Sequence, residues 1–356
     1  MSNFKTTCSL LYQLMKAKYV TKRAPVFVSL VLNERCNLRC KYCYANVEDR
    51  FDSKLGEGGF TKKEVFEMVD ELYGMGTRLI FLLGGEPLLH DDIGEIVNHI
   101  VSKGIMLHLI TNGTLIKRKL AEIKKAHVVC VSLDGPREFN DMYRGKGTYN
   151  TVVDNVKFAL ENNLPVRIHS VLTKNSIKVL PEFVKLCEDL NVVATYSPAN
   201  YLGQTDFEDF KMTGEDYKEF WSKLMDLKQH RAPIGNSLYA LGKVLDWPID
   251  YHSFITRTAA RSCKYKPVFC ASGYTYCAID SSGVMFNCIN RGVKNGLNIR
   301  EVGISKAWDH LPELRKDCVS CATLNTVETS LYMSMSPHTW LEAIKYYSKF
   351  SGTKKI

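Results

Sequence analysis

Residues 26–43 read VFVSLVLNERCNLRCKYC, an apolar, β-rich run that gives way within four residues to three cysteines in Cys-x3-Cys-x2-Cys spacing. The run at 26–32 reads as a strand, and similar runs follow at 79–83, 106–110, 128–133, 166–172 and 192–196. Amphipathic helical patterns separate them. Thr61 and Glu64 form a capping-box pattern ahead of Val65, Met68, Val69 and Leu72, which recur at helical spacing. Ile93, Ile96, Val97, Ile100 and Val101 repeat that stripe, as do Leu180, Phe183, Val184 and Cys187. Strands alternating with helices make βαβ units and a parallel sheet. Six such units, joined in the right-handed sense, predict an α/β fold of the partial (β/α)6, TIM-like barrel class, with its chemistry at the C-terminal strand ends. The cysteine loop directly follows the first strand and stands at such an end.

A chain of 356 residues, 45% of them hydrophobic, can bury one large core or a large and a small one, and is neither disordered nor fibrous in composition. It has no apolar run long enough to span a bilayer and no secretory-signal pattern, so the cytoplasm is the expected compartment. Most of its twelve cysteines cluster at short spacings, which in a reducing compartment points to metal or cluster ligation rather than disulfides. The formal charge of +9 suits an anionic substrate, an acidic redox partner, nucleic acid or a membrane surface without choosing among them.

Residues 1–25 read as a basic amphipathic helix, with Leu10, Leu11, Leu14 and Met15 among Lys5, Lys16, Lys18, Lys22 and Arg23. Its favoured role is to plug the open end of the core, ahead of peripheral membrane contact. Residues 26–202 hold the barrel pattern, 203–260 are more polar and helical, and 261–325 form a small cysteine-rich domain. In the basic tail at 326–356, Trp340, Leu341, Ile344 and Tyr347 share a helical stripe beside Lys345 and Lys349. No internal repeat appears.

Three thiolates, from Cys36, Cys40 and Cys43, bind three irons of a 4Fe-4S cube and leave the fourth open to a substrate or cofactor. A zinc site is the alternative, but it asks for four Cys or His ligands, and no fourth is evident nearby. With Tyr42 at the aromatic position, the loop resembles the Cys-x3-Cys-x-aromatic-Cys hallmark of the radical S-adenosylmethionine (SAM) superfamily. Three further segments fall at strand ends where that family has them. Gly84, Gly85, Glu86 and Pro87 resemble its GGEP segment, which implies hydrogen bonding to the methionine ammonium of SAM. Thr111, Asn112 and Gly113 end the third strand, and Ser132, Leu133, Asp134 and Gly135 the fourth. The resemblance implies that Asn112, Ser132 and Asp134 line the pocket for SAM or substrate. Arg144 is read either as a partner of the methionine carboxylate or as a surface arginine, and His169 as a core histidine with its hydrogen bonds satisfied.

Cys270 and Cys288 bracket CASGYTYCAIDSSGVMFNC, with Gly283 five residues before the second, and Cys318 and Cys321 form a later pair. This pattern is similar to the auxiliary-cluster module called SPASM, and more to its shortened twitch form. It implies one auxiliary 4Fe-4S cluster on Cys270, Cys288, Cys318 and Cys321, with a four-cysteine zinc ribbon as the plain alternative. Cys263 and Cys277 are surplus, each read either as a substitute ligand or as a buried small thiol, and Cys8, Cys130 and Cys187 read as packed residues.

The resemblance implies reductive cleavage of SAM to a 5'-deoxyadenosyl radical, which abstracts a substrate hydrogen, and a flavodoxin- or ferredoxin-type electron donor. Oxidation of a sugar, a cyclitol or a peptide is preferred, since a second cluster can accept the electron left on a substrate radical. Redox-neutral reactions are the alternatives: epimerisation, decarboxylation, adenosylation or lipid modification. An iron-sulfur carrier or scaffold is the non-enzymatic reading, and it would not need the strand-end pocket segments. Nucleic acid is disfavoured as a partner.

Overall fold

The computed structural model describes residues 2–43, 58–199, 210–288, 295–315 and 317–350, without side chains at 2, 3, 343 and 345–350. The chain begins with helix α1 (Ser2–Lys16) and strand β1 (Phe27–Val31), followed by α2 (Lys62–Met75), β2 (Leu79–Leu83), α3 (Ile93–Ser102) and β3 (Met106–Thr111). Next come α4 (Ile116–Ile123), β4 (Val128–Ser132), α5 (Arg137–Arg144), α6 (Thr148–Glu161), β5 (Val166–Leu172), α7 (Ser176–Asp189) and β6 (Ala194–Pro198). The expected alternation, and with it the α/β class, is present in full. Beyond it lie α8 (Gly214–Gln229), α9 (Leu238–Leu245), β7 (Phe254–Thr256), α10 (Arg257–Ser262), β8 (Tyr276–Ile279), β9 (Val284–Phe286) and β10 (Leu297–Asn298). The chain ends with α11 (Ile299–Val302), α12 (Ile304–His310), β11 (Cys318–Cys321), α13 (Leu324–Met333) and α14 (Pro337–Phe350).

Two compact units interleave along this sequence. The first comprises Met1–Val131, Thr151–Pro165 and Ser272–Lys316. Its strands run in the order β10-β9-β8-β1-β2-β3-β4, parallel from β8 through β4 and antiparallel across the β8–β9–β10 edge. The capping box forms as expected: Thr61 accepts from Glu64 N–H while the Glu64 carboxylate accepts from Thr61 N–H. Val65, Met68, Val69 and Leu72 of α2 are buried, as are Ile93, Ile96, Val97 and Ile100 of α3. Burial of each large aliphatic side chain contributes about 1.5–3 kcal/mol, so these stripes, more than helix propensity, hold the helices in place.

The second unit comprises Ser132–Asn150, Val166–Ala271 and Asp317–Ile356. It holds the parallel pair β5–β6 and the antiparallel pair β7–β11. Tyr196, Phe183, Phe220 and Trp221 form an aromatic cluster in its core. Leu180, Phe183, Val184 and Cys187 are the buried stripe of α7. In α14, Leu341 and Ile344 are exposed while Trp340 donates its indole N–H to the Tyr332 carbonyl, so the tail stripe does not act as one face; Tyr347 lies outside the described side chains. Among the described residues no helix is long and apolar enough to cross a membrane.

Candidate active site

The parallel pairing of β1 with β2 runs on past the strand ends. Leu32 N–H donates to the Leu83 carbonyl, Gly85 N–H to Asn33 and Glu86 N–H to Arg35, each at 2.7 Å. The GG pair is laid against the backbone that leads into Cys36. A Cβ on Gly85 would stand 2.3 Å from the Glu34 carbonyl oxygen and 2.6 Å from that of Arg35, closer than any side-chain carbon tolerates. The glycine is needed for this contact between two segments of main chain, whether or not a ligand follows. Gly85→Ala should therefore cost about 3 kcal/mol or more by forcing the strand ends apart. Gly74→Ala is the control, because a Cβ there meets nothing within 4 Å. Urea unfolding of the two variants checks the contrast, and equal stabilities would refute it.

Glu86 is fully buried, and every donor it uses is internal. One carboxylate oxygen accepts from the Thr111 hydroxyl at 2.7 Å and Leu88 N–H at 3.1 Å, the other from Asn112 N–H at 2.7 Å. Burial pushes its carboxyl up to about 7, with the Asn112, Thr111 and Leu88 hydrogen bonds pulling the other way. The side chain thus ties the end of β2 to the end of β3.

Asn112 carries the tie on to the cysteine loop. Its Nδ2 donates to Asn37 Oδ1 at 2.8 Å and to Cys36 Sγ at 3.8 Å, and its Oδ1 accepts from the N–H and hydroxyl of Thr114. Asn37 Nδ2 donates to Thr114 Oγ1, and Arg35 reaches the Leu89 carbonyl. Cys36 Sγ also accepts from Leu38 N–H at 3.4 Å. Burial raises the Cys36 thiol, and the Leu38 and Asn112 hydrogen bonds oppose that rise. Cys36, Cys40 and Cys43 are all half-buried, and Cys43 N–H closes a turn onto the Cys40 carbonyl at 3.1 Å. Tyr42 is buried beside them. Among the described residues no three His, Cys, Asp or Glu side chains converge to hold a single ion. A cube gives each thiolate its own iron, so a wider spacing of sulfurs is compatible with it, and N–H donors aimed at sulfur are suited to thiolate ligands. The donor set fits a cluster.

In the second unit Asp134 and Arg144 form a buried, two-pronged ion pair, Nε to Oδ2 at 2.6 Å and Nη2 to Oδ1 at 3.0 Å. Val171 N–H adds a third hydrogen bond to Asp134 at 2.9 Å. Arg144 is 6% exposed, which corrects the surface reading. The helical amphipathicity of α5 turns Phe139, Tyr143 and Arg144 inward together. Ser132, at the end of β4, is half-buried.

A family model described as the radical SAM superfamily matches residues 30–187. The likeness to that superfamily thus spans β1 through most of α7. Over 312 residues it is 26% identical to an AdoMet-dependent heme synthase of Methanosarcina barkeri, covering 82% of this chain and 84% of that protein. It is 32% identical over 163 residues to an Fe-coproporphyrin III synthase of the same organism, covering 44% of this chain and 40% of that protein. In fold it is similar to Streptococcus suis SuiB bound to precursor peptide SuiA, with a TM-score of 0.63 at 20% identity over 84% of this chain and 67% of that one.

Two further buried carboxylates lie in the first unit. Glu34, two residues before Cys36, is buried and accepts from the Ser281 hydroxyl at 2.7 Å, while Asp280 is wholly buried and caps the β8–β9 turn through Ser282 and Val284 N–H. A carboxylate closing an apolar strand was the available signal for Glu34; nothing in the sequence paired it with Ser281. His169 is satisfied on both ring nitrogens, by Thr195 Oγ1 at 3.1 Å and Ser197 Oγ at 3.0 Å. Its surroundings lower it to about 4, through burial first and Arg167 second.

Of the four later cysteines, three lie in the second unit. Cys270 N–H donates to the Val319 carbonyl, within the Cys318–Cys321 strand whose register breaks between Cys318 and Ser320. Burial, then the neighbouring Cys270, pushes the Cys321 thiol up to about 11, against hydrogen bonds from Thr323. Cys288 follows β9 in the first unit. Cys277 is fully buried in β8 and Cys263 half-buried after α10. Cys130 and Cys187 are packed as expected, but Cys8 is exposed, because it falls on the outward side of α1.

Proposed function

We propose that this chain binds a 4Fe-4S cluster on Cys36, Cys40 and Cys43, cleaves SAM reductively and oxidises a substrate radical with the help of an auxiliary cluster. The observation that carries the reading is the Cys36 loop itself. Three half-buried thiols stand on a segment bound by main chain to the GGE strand end and by Asn112 to β3, with two N–H groups aimed at one sulfur. When bound, the cluster supplies the low-potential electron that cleaves the sulfonium to methionine and a 5'-deoxyadenosyl radical. The chain's own task is positional. The ladder through Leu83, Gly85 and Glu86 fixes where the loop starts, and the Glu86 strut fixes the distance between the β2 and β3 ends. Asn112 restrains the loop from the side. The buried Asp134–Arg144 pair holds the α5 segment beside β5.

Cys270, Cys318 and Cys321, with Cys288 as the fourth ligand, are assigned to the auxiliary 4Fe-4S cluster. It would take the electron from the substrate radical, which makes the reaction oxidative. The substrate class is a small molecule or a peptide. The heme synthase likeness spans about four-fifths of both chains and favours the small molecule; the peptide-bound SuiB keeps a peptide in view. The electron donor is assigned to the flavodoxin or ferredoxin type, and a formal charge of +9 is compatible with such an acidic partner. All twelve cysteines are free of disulfides, in keeping with a cytoplasmic enzyme.

Anaerobically reconstituted protein should release 5'-deoxyadenosine on reduction with SAM present, read by chromatography. Iron and sulfide should each approach roughly eight per chain, twice a four-iron cube. Four irons together with one zinc would make the C-terminal cysteines structural and remove the main argument for an oxidative reaction.

A further inference from the structure

Helix α1 has two apolar faces. Leu10, Leu14 and Ala17 are buried, with Thr6 and Gln13, and Ser9 Oγ accepts from Arg78 Nε at 3.0 Å just before β2. This face packs on the first unit at the start of β2. The opposite face carries Phe4, Cys8, Tyr12, Met15 and Tyr19, at steps of four, four, three and four residues, which is one stripe of a helix. A single π turn, Ala17–Thr21, carries the helix on to include Val20. Phe4 is 73% exposed, Tyr12 61%, Met15 44%, Tyr19 65% and Val20 71%. Five of the twelve large hydrophobic residues exposed among the described residues thus lie on the first twenty positions.

Lys5, Lys16, Lys18 and Lys22 are all exposed around that stripe, and Lys18 Nζ stands 5.3 Å from the Tyr19 ring centroid. No acidic residue occurs before Glu34. A helix packed on one side needs no second apolar stripe for its fold, and an exposed one weakens solubility unless something covers it. We propose that this outer face of α1 docks on an anionic lipid bilayer, with the aromatic and aliphatic side chains at the acyl boundary and the lysines at the headgroups. Tyrosine, with an apolar ring and a polar tip, suits that depth. A second copy of the chain is a poor occupant, since four lysines on each side would face one another. Nucleic acid would use the lysines but leave Phe4, Met15 and Val20 in water.

The docking surface brings the enzyme to a membrane whatever its reaction, so its test needs neither SAM nor substrate. Full-length protein should sediment with vesicles of phosphatidylcholine plus phosphatidylglycerol and stay in solution with phosphatidylcholine alone. Added salt should release it, as screening shortens the reach of the lysines. Lys16→Glu with Lys18→Glu should weaken binding by about 25-fold or more, from about fivefold per lysine near an anionic surface. Phe4→Ser with Tyr19→Ser should abolish it, with circular dichroism and iron loading unchanged. Sedimentation that these substitutions leave intact, or none with either vesicle, would overturn the proposal. So would a dimer in light scattering that the serine pair dissociates, or retention of duplex DNA in place of vesicles. Any of these results would leave the SAM-cleavage reading where it stands.

Discussion

The Cys36→Ala, Cys40→Ala, Cys43→Ala triple variant should form no 5'-deoxyadenosine above the level of protein-free buffer after anaerobic reconstitution. Each single replacement should do nearly the same. A cube held by two protein thiolates loses a ligand that nothing in the loop replaces, because Asn37, Arg39, Lys41 and Tyr42, the other polar side chains between Cys36 and Cys43, are not cluster ligands of the usual thiolate or imidazole kind. The fold should survive the change. The loop's supports are the ladder from Leu32 to Glu86, the Glu86 strut and the Asn37–Asn112–Thr114 amides, and none of them is a cysteine. About half the iron should remain, on the C-terminal cysteines, which distinguishes loss of one site from general failure to load. Activity in a triple variant still carrying its full iron would remove the loop from the chemistry.

Arg144→Ala should be the most damaging single change to stability, costing about 3–5 kcal/mol, because it leaves the Asp134 carboxylate buried without its cation. The aspartate has no exposed surface to fall back on: its side chain is 0% exposed, and one oxygen already serves Val171 N–H. Arg144→Lys should recover only part of the loss, since an ammonium cannot reproduce the two-pronged contact. Asp134→Asn combined with Arg144→Met should cost less than Arg144→Ala alone, because no uncompensated charge is then buried. Chemical denaturation of metal-free protein measures all three without interference from iron. A cost below 1 kcal/mol for Arg144→Ala would mean that the pair opens to water and that Asp134 is not held as described.

The strands at 79–83 and 166–172 are legible to the residue, with Gly84 directly after the first run and Pro165 directly before the second. The sixth strand was placed two residues early. Val192 and Val193 look like strand, but Val192 N–H is spent on the Cys187 carbonyl, closing the end of α7, and regular pairing starts at Ala194. The cysteine loop and the GGEP segment were legible as motifs. Their mechanical use was not, because the partners of Glu86 lie on the next strand, 25 and 26 residues away, and the Gly85 contact is with main chain, which carries no sequence signature. Arg144 illustrates the same limit: an arginine and an aspartate ten residues apart have no marker of burial until α5 folds and turns its apolar face inward. The outward stripe of α1 was visible in part, as lysines among leucines, but one helical wheel cannot say which of two apolar faces the core will claim.

The Glu86 strut and the ladder through Leu83, Gly85 and Glu86 have a bearing on how this protein ages in air. Oxygen destroys exposed iron-sulfur cubes, and an enzyme whose loop is folded around its metal would lose its shape with the metal. Here the seat is assembled from carbonyls, amides and one sequestered carboxyl group, none of which is oxidised and none of which needs iron to stay in place. On the proposed reading, loss of the cluster would leave these contacts standing, and refilling would ask only that the Cys36, Cys40 and Cys43 thiols be kept reduced.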